Sequence, residues 1–157
     1  MIALLVLFFA VAVGQTVPAT LPGSLRDHLK DEKFEIVTSI RGLPLGVRDG
    51  LQTLFGTQTL DIAESGASVE HARGTDPNVN PKQATRRLVA AGCSMDHCLV
   101  YYERGGSTPT WLVAVFSWTP AATRFEWGGT ARGGLTTIAD VRSAVLSGAV
   151  KGPVKVW

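Results

Sequence analysis

The chain has 157 residues, of which 45% are hydrophobic and 18% charged. This balance is typical of one folded globular domain and excludes a disordered chain. The formal net charge is +2, which is too small to indicate a nucleic-acid partner, and we expect none.

Residues 1–14 predict a secretion signal. Their sequence, MIALLVLFFAVAVG, has no polar side chain, and small residues offer cleavage sites near positions 12–14. A membrane-spanning helix needs about 20 apolar residues, so we expect no stable membrane insertion after the signal is removed. The alternative, a buried N-terminal helix or strand, would have no polar face to present to water. We therefore expect a secreted or periplasmic protein, with a flexible lead-in at 15–23 and a single α+β domain at 24–157.

The N-terminal part of the domain predicts several short elements. Residues 24–30 and 47–55 have apolar side chains at helical spacing, whereas residues 33–40 alternate like a strand. Residues 59–63 are a further strand candidate. Residues 65–83 are polar and contain Gly and Pro, which predicts an exposed loop.

The C-terminal part predicts a four-stranded antiparallel meander at about 85–127, because short turns separate four β-like runs. These runs are 85–92, 98–104, 110–118 and 123–127. The third run is apolar on both faces, so each side of the sheet needs a cover. We expect a C-terminal helix at about 137–147 on one face, begun by a capping box of Thr137 and Asp140. The N-terminal strand and helix region is the expected cover for the other face, and residues 151–157 predict an edge strand.

The two cysteines, Cys93 and Cys98, lie at either end of a four-residue loop between β-like runs. Cysteines at such positions face each other across a hairpin, and an oxidising compartment favours a disulfide between them. A zinc site would need further ligands, and a thioredoxin-like redox pair would have two intervening residues instead of four. A nucleophile formed by cysteine with His97 would need a free thiol. We therefore predict a structural disulfide, no metal and no other cofactor.

Three histidines, at positions 28, 71 and 97, are the candidates for acid–base chemistry. They show no metal-binding spacing, but each directly follows an acidic residue. A small hydrolase could use such a pair if a serine lay within hydrogen-bond reach. The groups in question are Glu70, His71, Asp96 and His97, with Ser94 or Ser107 as the nucleophile.

Aromatic residues crowd into the predicted meander. They form either a hydrophobic core or a stacking platform for a sugar ring or for a partner's side chain. The candidate binding residues are Tyr102, Arg104, Trp118, Arg124 and Trp127, with the arginines as cation partners of the rings. The sequence thus favours a small binding module without catalytic activity, with a protein or carbohydrate partner. A small extracytoplasmic hydrolase with a His–carboxylate pair and a small-ligand carrier are the alternatives.

Overall fold

An antiparallel sheet with helices on both faces accounts for most of the described residues. The computed structural model describes residues 18–69 and 83–157. The predicted secretion signal at 1–14 and most of the predicted polar loop, including His71, lie outside the described residues. Within the described ranges, no helix is long and apolar enough to cross a membrane.

The α+β class and the antiparallel meander are confirmed. The elements are α1 (Gly23–Asp31), β1 (Glu35–Val37), a 3₁₀ helix (Ile40–Gly42), α2 (Leu45–Phe55), β2 (Arg86–Cys93), β3 (His97–Arg104), β4 (Thr110–Trp118), β5 (Thr123–Ala131) and α3 (Ile138–Leu146). Neighbouring strands of the sheet follow one another in chain order, and every pair is antiparallel. The sheet therefore contains no crossover connection among the described strands.

The sheet of the described residues has five strands, so the prediction of four was wrong in this detail. The additional strand is β1, which belongs to the predicted run 33–40. It pairs with β2 from Glu35 opposite Cys93 to Val37 opposite Ala91. The sequence pattern indicates the strand but not its partner, because the two lie far apart along the chain.

Strand β5 is longer than predicted because it continues through Gly128 and Gly129 to Ala131. Glycine is unfavourable in a strand interior, which is why the sequence predicts an end at position 127. In the fold, the missing side chains let the C-terminal residues approach the sheet. A Cβ at position 128 would lie 2.5 Å from the Trp157 indole, and one at position 129 would lie 2.6 Å from the Lys151 carbonyl oxygen.

Two other predicted strands are reduced to single bridges. In the run 59–63, Ala63 bridges Arg87, and in the run 151–157, Lys151 bridges Thr130. Each bridge lies beside an established strand without extending along it. These runs therefore pack against the sheet but do not form additional strands of it.

Strand β4 is buried on both faces and divides the core into two layers. Leu112, Ala114 and Phe116 pack with α2, whereas Val113 and Val115 pack with α1 and α3. The covering side chains are Val47, Leu51 and Phe55 from α2, Leu25 and Leu29 from α1, and Val141 and Val145 from α3. As expected, the C-terminal helix covers one face and the 47–55 helix the other, but α1 of the N-terminal region lies on the same face as α3 and not opposite it. The lead-in also contributes to the core, since Leu21 is buried and the carbonyl oxygen of Pro18 accepts a hydrogen bond from the Trp127 indole at 3.0 Å.

The predicted disulfide between Cys93 and Cys98 is confirmed, with an S–S distance of 2.04 Å. The two cysteines are direct partners in the β2–β3 ladder. The bond therefore closes the first rung of the hairpin, whose turn consists of residues 94–96. A disulfide in this position fits an extracellular location.

Helix α3 begins with the predicted capping box. The Thr137 hydroxyl accepts a hydrogen bond from the Asp140 main-chain N–H at 3.1 Å, and the Asp140 carboxylate accepts one from the Thr137 N–H at 3.2 Å. The cap satisfies donors that the first helical turn leaves without intrahelical partners. It fixes the start of the helix that covers one face of the sheet.

We expect Thr137→Ala to lower the free energy of unfolding by about 1 kcal/mol, because the cap hydroxyl is lost. Urea unfolding followed by circular dichroism measures this change. The matched control is Thr136→Ala, an exposed neighbour for whose hydroxyl the structure gives no role in the cap. Equal stability of the two variants would contradict the stabilising role of the cap.

Candidate functional site

The hairpin tip between β2 and β3 is held by its own polar groups. The Ser94 hydroxyl accepts hydrogen bonds from the main-chain N–H of Asp96 at 3.2 Å and of His97 at 2.9 Å. The Trp118 indole donates to the Ser94 carbonyl oxygen at 3.1 Å, and the Trp118 main-chain N–H donates to the Asp96 carbonyl oxygen at 2.9 Å. With the disulfide at its base, the turn is thus fixed to the end of β4.

Glu32, just after α1, joins the same tip to the helical layer. Its carboxylate accepts a hydrogen bond from the Ser94 hydroxyl and lies 2.6 Å from Nδ1 of His97. The exposed His28, one helical turn earlier, has its Nδ1 3.9 Å from the same carboxylate, and its ring centroid lies 5.7 Å from that of His97. Ser94 and His97 are themselves buried. The arrangement links an α1 carboxylate to the hairpin at a point of low solvent access.

This arrangement brings together a serine, a carboxylate and a histidine, which are the components of a hydrolytic triad, but in a different order. In a triad, the imidazole lies between the nucleophilic hydroxyl and the carboxylate, so that it can remove the hydroxyl proton. Here the carboxylate of Glu32 lies between Ser94 and His97, and the Ser94 oxygen already accepts two main-chain N–H groups. The carboxylate that pairs with His97 is Glu32, whereas the sequence points to the adjacent Asp96. These contacts tie the turn to the helical layer, and their order differs from that of a triad.

A row of polar residues crosses the sheet beside the tip. It runs from His97 on β3 to Ser117 on β4 and Arg124 on β5, which are direct partners on neighbouring strands. The Glu126 carboxylate accepts hydrogen bonds from Ser117 at 2.6 Å and from Arg124 at 2.7 Å and 2.9 Å. Burial alone would raise the pKa of Glu126. The hydrogen bonds from Ser117 and Arg124, with the charges of Arg124 and His97, outweigh burial and hold that pKa below its ordinary value. We call Glu32, Ser94, His97, Ser117 and Glu126 the tip cluster.

Across residues 18–69 and 83–157, no three or more His, Cys, Asp or Glu side chains are arranged to hold a metal ion.

The five candidate binding residues do not form one surface. Tyr102 and Trp127 are fully buried, so neither ring is accessible to a partner. Arg104 lies opposite Thr110 at the far end of the sheet and donates to the Val156 carbonyl oxygen at 2.9 Å. Trp118 and Arg124 remain at the tip end. Trp118 is half-buried and Arg124 exposed.

The more accessible apolar groups lie beside β1, at the outer edge of the sheet. Ile36 is 73% exposed and Met95, in the hairpin turn, is 88% exposed. An open groove of about 630 Å³ runs between them, bordered by Glu35, Val37, Met95 and Trp118 among others. A second groove, of about 340 Å³, adjoins the same strand; it shares Ile36 and Val37 with the first groove and is also lined by Ala90 and Ile138. We call Ile36, Met95, Trp118 and these two grooves the edge surface.

Sequence analysis missed both Glu32 and Ile36 as candidate residues. Glu32 follows His28 by four positions on one helical face, a spacing that brings the two side chains together, but its contact with His97 spans 65 positions. Ile36 was visible as one member of an alternating run. Its exposure follows from the position of β1 at the sheet edge, which no local pattern specifies.

Comparisons with protein-family models, with curated protein sequences and with solved structures find no match to this chain.

We expect Glu32→Ala to lower the free energy of unfolding by about 1–3 kcal/mol, because it leaves two buried partners without their acceptor. Hydrogen exchange of the amides at 94–97 should accelerate, since the turn loses its link to the helical layer. The exposed Glu35→Ala is the matched control and should change neither quantity. Unchanged exchange at the turn in Glu32→Ala would show that the carboxylate does not hold the tip.

The depressed pKa of Glu126 predicts a loss of stability in acid. The pKa of Glu126 in the folded protein lies below the ordinary value of 4.5. Its contribution to the free energy of unfolding is therefore complete above pH 4.5 and is lost as the pH falls through the folded pKa. Between about pH 7 and about pH 3, wild type should therefore lose up to about 1 kcal/mol more than Glu126→Gln. Urea titrations at several pH values measure this difference, and parallel pH profiles of the two proteins would contradict it.

Proposed function

We propose that this protein is a small exported module without catalytic activity, which binds an extended segment of another protein at the edge surface. The observation that supports this function is the position of β1, an edge strand beside which two open grooves lie. An edge strand presents main-chain N–H and C=O groups to which another strand can bond.

Successive side chains of β1 point to opposite faces of the sheet. Val37 packs with the α2 side of the core and borders both grooves. Ile36 also borders both grooves and lies opposite Gly92, where a Cβ would lie 2.7 Å from Ile138 on the α3 side. Alternate side chains of an added strand would therefore share one face with Ile36 and the other face with Val37. We therefore expect a partner segment with apolar residues at alternate positions.

The charges on the rim favour a polypeptide of mixed charge. Lys33 and Glu35 are both exposed, two positions apart, beside the larger groove. An antiparallel strand with an acidic and a basic residue at the same spacing would pair with both of them.

A protein partner is better supported than a carbohydrate. Sugar-binding platforms use exposed aromatic faces, whereas the rings of Tyr102 and Trp127 lie in the core and Trp118 is only half-exposed. The accessible groups at the edge surface are instead the aliphatic Ile36 and the thioether of Met95. Flexible methionine side chains adapt to the shape of a bound partner.

The lack of catalytic activity in this proposal is supported by the tip cluster, in which the Ser94 hydroxyl donates to the Glu32 carboxylate and to the His97 main-chain oxygen but not to the His97 imidazole. Export is supported by the signal-like residues 1–14 and by the disulfide between Cys93 and Cys98. An oxidising compartment keeps that bond and thereby the shape of the turn that presents Met95.

The proposal predicts which peptides the protein selects. Segments of about ten residues, displayed as a random library, should yield binders with alternating apolar residues. Ile36→Lys should weaken these binders by about tenfold or more, because the added charge faces the apolar groove. Binding can be measured by isothermal titration calorimetry with the synthetic peptides.

Leu45→Lys is the matched control, since Leu45 is 64% exposed but does not line either groove of the edge surface. It should bind the selected peptides as wild type does. Equal affinity for Ile36→Lys and wild type would overturn the proposal. So would binding to a glycan array that is abolished by Trp118→Ala and unaffected by Ile36→Lys.

A further inference from the structure

The disulfide between Cys93 and Cys98 places its two sulfur atoms in different surroundings. Cys98 is fully buried and belongs to the core on the α2 side of the sheet. Cys93 is half-buried and lines the larger groove of the edge surface. A solute that enters this groove therefore meets Cys93 first.

The order of the strands determines what lies beyond each end of the S–S bond. The bond joins direct partners on β2 and β3, so it runs across the sheet from one strand towards the other. Beyond Cys93 lies β1, where the direct partner of Cys93 is the exposed Glu35. Beyond Cys98 lies β4, where the direct partner of Cys98 is the fully buried Phe116. One end of the line through the bond thus opens at the sheet edge, and the other end lies in the core.

This difference decides which sulfur an external thiolate can attack. A thiolate attacks a disulfide in line with the S–S bond, and the far sulfur is the leaving group. Attack on Cys98 would require the nucleophile to take the place of Phe116 in the core. Attack on Cys93 requires only entry into the groove beside Glu35, which also lines it. Cys93 is therefore the sulfur that is open to attack.

The hairpin tip has contacts that do not depend on the disulfide. The Glu32 carboxylate accepts a hydrogen bond from Ser94 and lies 2.6 Å from Nδ1 of His97. The Trp118 indole donates to the Ser94 carbonyl oxygen. The ladder of β2 and β3 also continues along both strands beyond this rung. These contacts allow the bond to open and close within the folded domain, with the two thiols side by side.

We propose that the disulfide is a site of thiol–disulfide exchange, at which a dithiol enters the larger groove and attacks Cys93. A thiolate of the dithiol forms a bond to the Cys93 sulfur, and the Cys98 sulfur leaves as a thiolate. The second thiolate of the dithiol then attacks the first, and the Cys93 sulfur leaves. The dithiol gives up two electrons and ends as a disulfide, and its two protons pass through solvent to the two cysteines. The exchange needs no bound peptide, so it does not rest on the proposed function.

The first experiment locates the attacked sulfur in the wild-type chain. The folded protein reacts briefly with excess reduced glutathione and is trapped with N-ethylmaleimide, and peptide mass spectrometry shows which cysteine carries which group. We expect glutathione on Cys93 at least about tenfold more often than on Cys98, because the fold covers Cys98. In concentrated urea, which removes this cover, both cysteines should carry it to a similar extent. Glutathione found mainly on Cys98, or equally on both cysteines of the folded chain, refutes the proposal.

The second experiment tests the approach beside Glu35. The Glu35 carboxylate should slow an anionic thiol and favour a cationic one. Glu35→Gln should therefore raise the ratio of the rates for mercaptoethanesulfonate and cysteamine by about threefold at low salt. The matched control is Asp49→Asn, which removes an exposed carboxylate of α2 that does not line the larger groove and should leave the ratio unchanged. If the two substitutions change the ratio alike, the thiol does not enter beside Glu35 and the proposal is wrong.

Discussion

The apolar character of β4 on both faces is the constraint from which the rest of the architecture follows. This strand carries Leu112, Ala114 and Phe116 on one side and Val113 and Val115 on the other. Because all of these side chains are apolar, neither side of the strand can remain exposed to water. Burial of this kind contributes roughly 25 cal/mol for each Å² removed from water, so both faces recruit a helical layer. The resulting three layers place α2 on one side and α1 with α3 on the other.

Polar groups in such a three-layer domain are displaced to its ends. At one end, the side chains of Glu32, His97 and Glu126 hold the hairpin tip, the helical layer and β5 together. At the other end, Arg86 and Asp61 form the corresponding polar group beneath the C-terminal residues. Both groups are hydrogen-bonded and partly buried, so their primary role is structural. Ile36, at the sheet edge beside the first of these groups, contributes to the edge surface.

Local patterns account for what the sequence predicted correctly. The disulfide, the capping box and the helical spacing of 47–55 each depend on residues within a few positions of one another. The residue pattern of β4 correctly predicted that both faces of the sheet are covered. Successive side chains of a strand point to opposite faces, so the apolar residues at every position of β4 must be buried on both. The same alternation could not say which aromatic rings remain accessible, since Tyr102 and Trp127 become buried only when the helices pack over them.

Distant pairings account for what the sequence did not predict. Strand β1 meets β2 across a long connection, so its place at the sheet edge, and with it the exposure of Ile36, has no local signature. Glu32 becomes the partner of His97 only because α1 ends where the hairpin turns. The glycines at 128 and 129, unfavourable in an isolated strand, are required by the residues that later cross above them. Each of these features is a property of packing between elements.

The order of the strands in the sheet has a consequence for how the chain acquires its structure. Since β2, β3, β4 and β5 are joined by short turns and each pairs with its successor, the ladder can zip one hairpin at a time, with little entropy lost in closing each loop. The β1 strand must instead wait for a partner that is synthesised much later. The C-terminal hairpins can thus pair before β1 joins the sheet as its last rung.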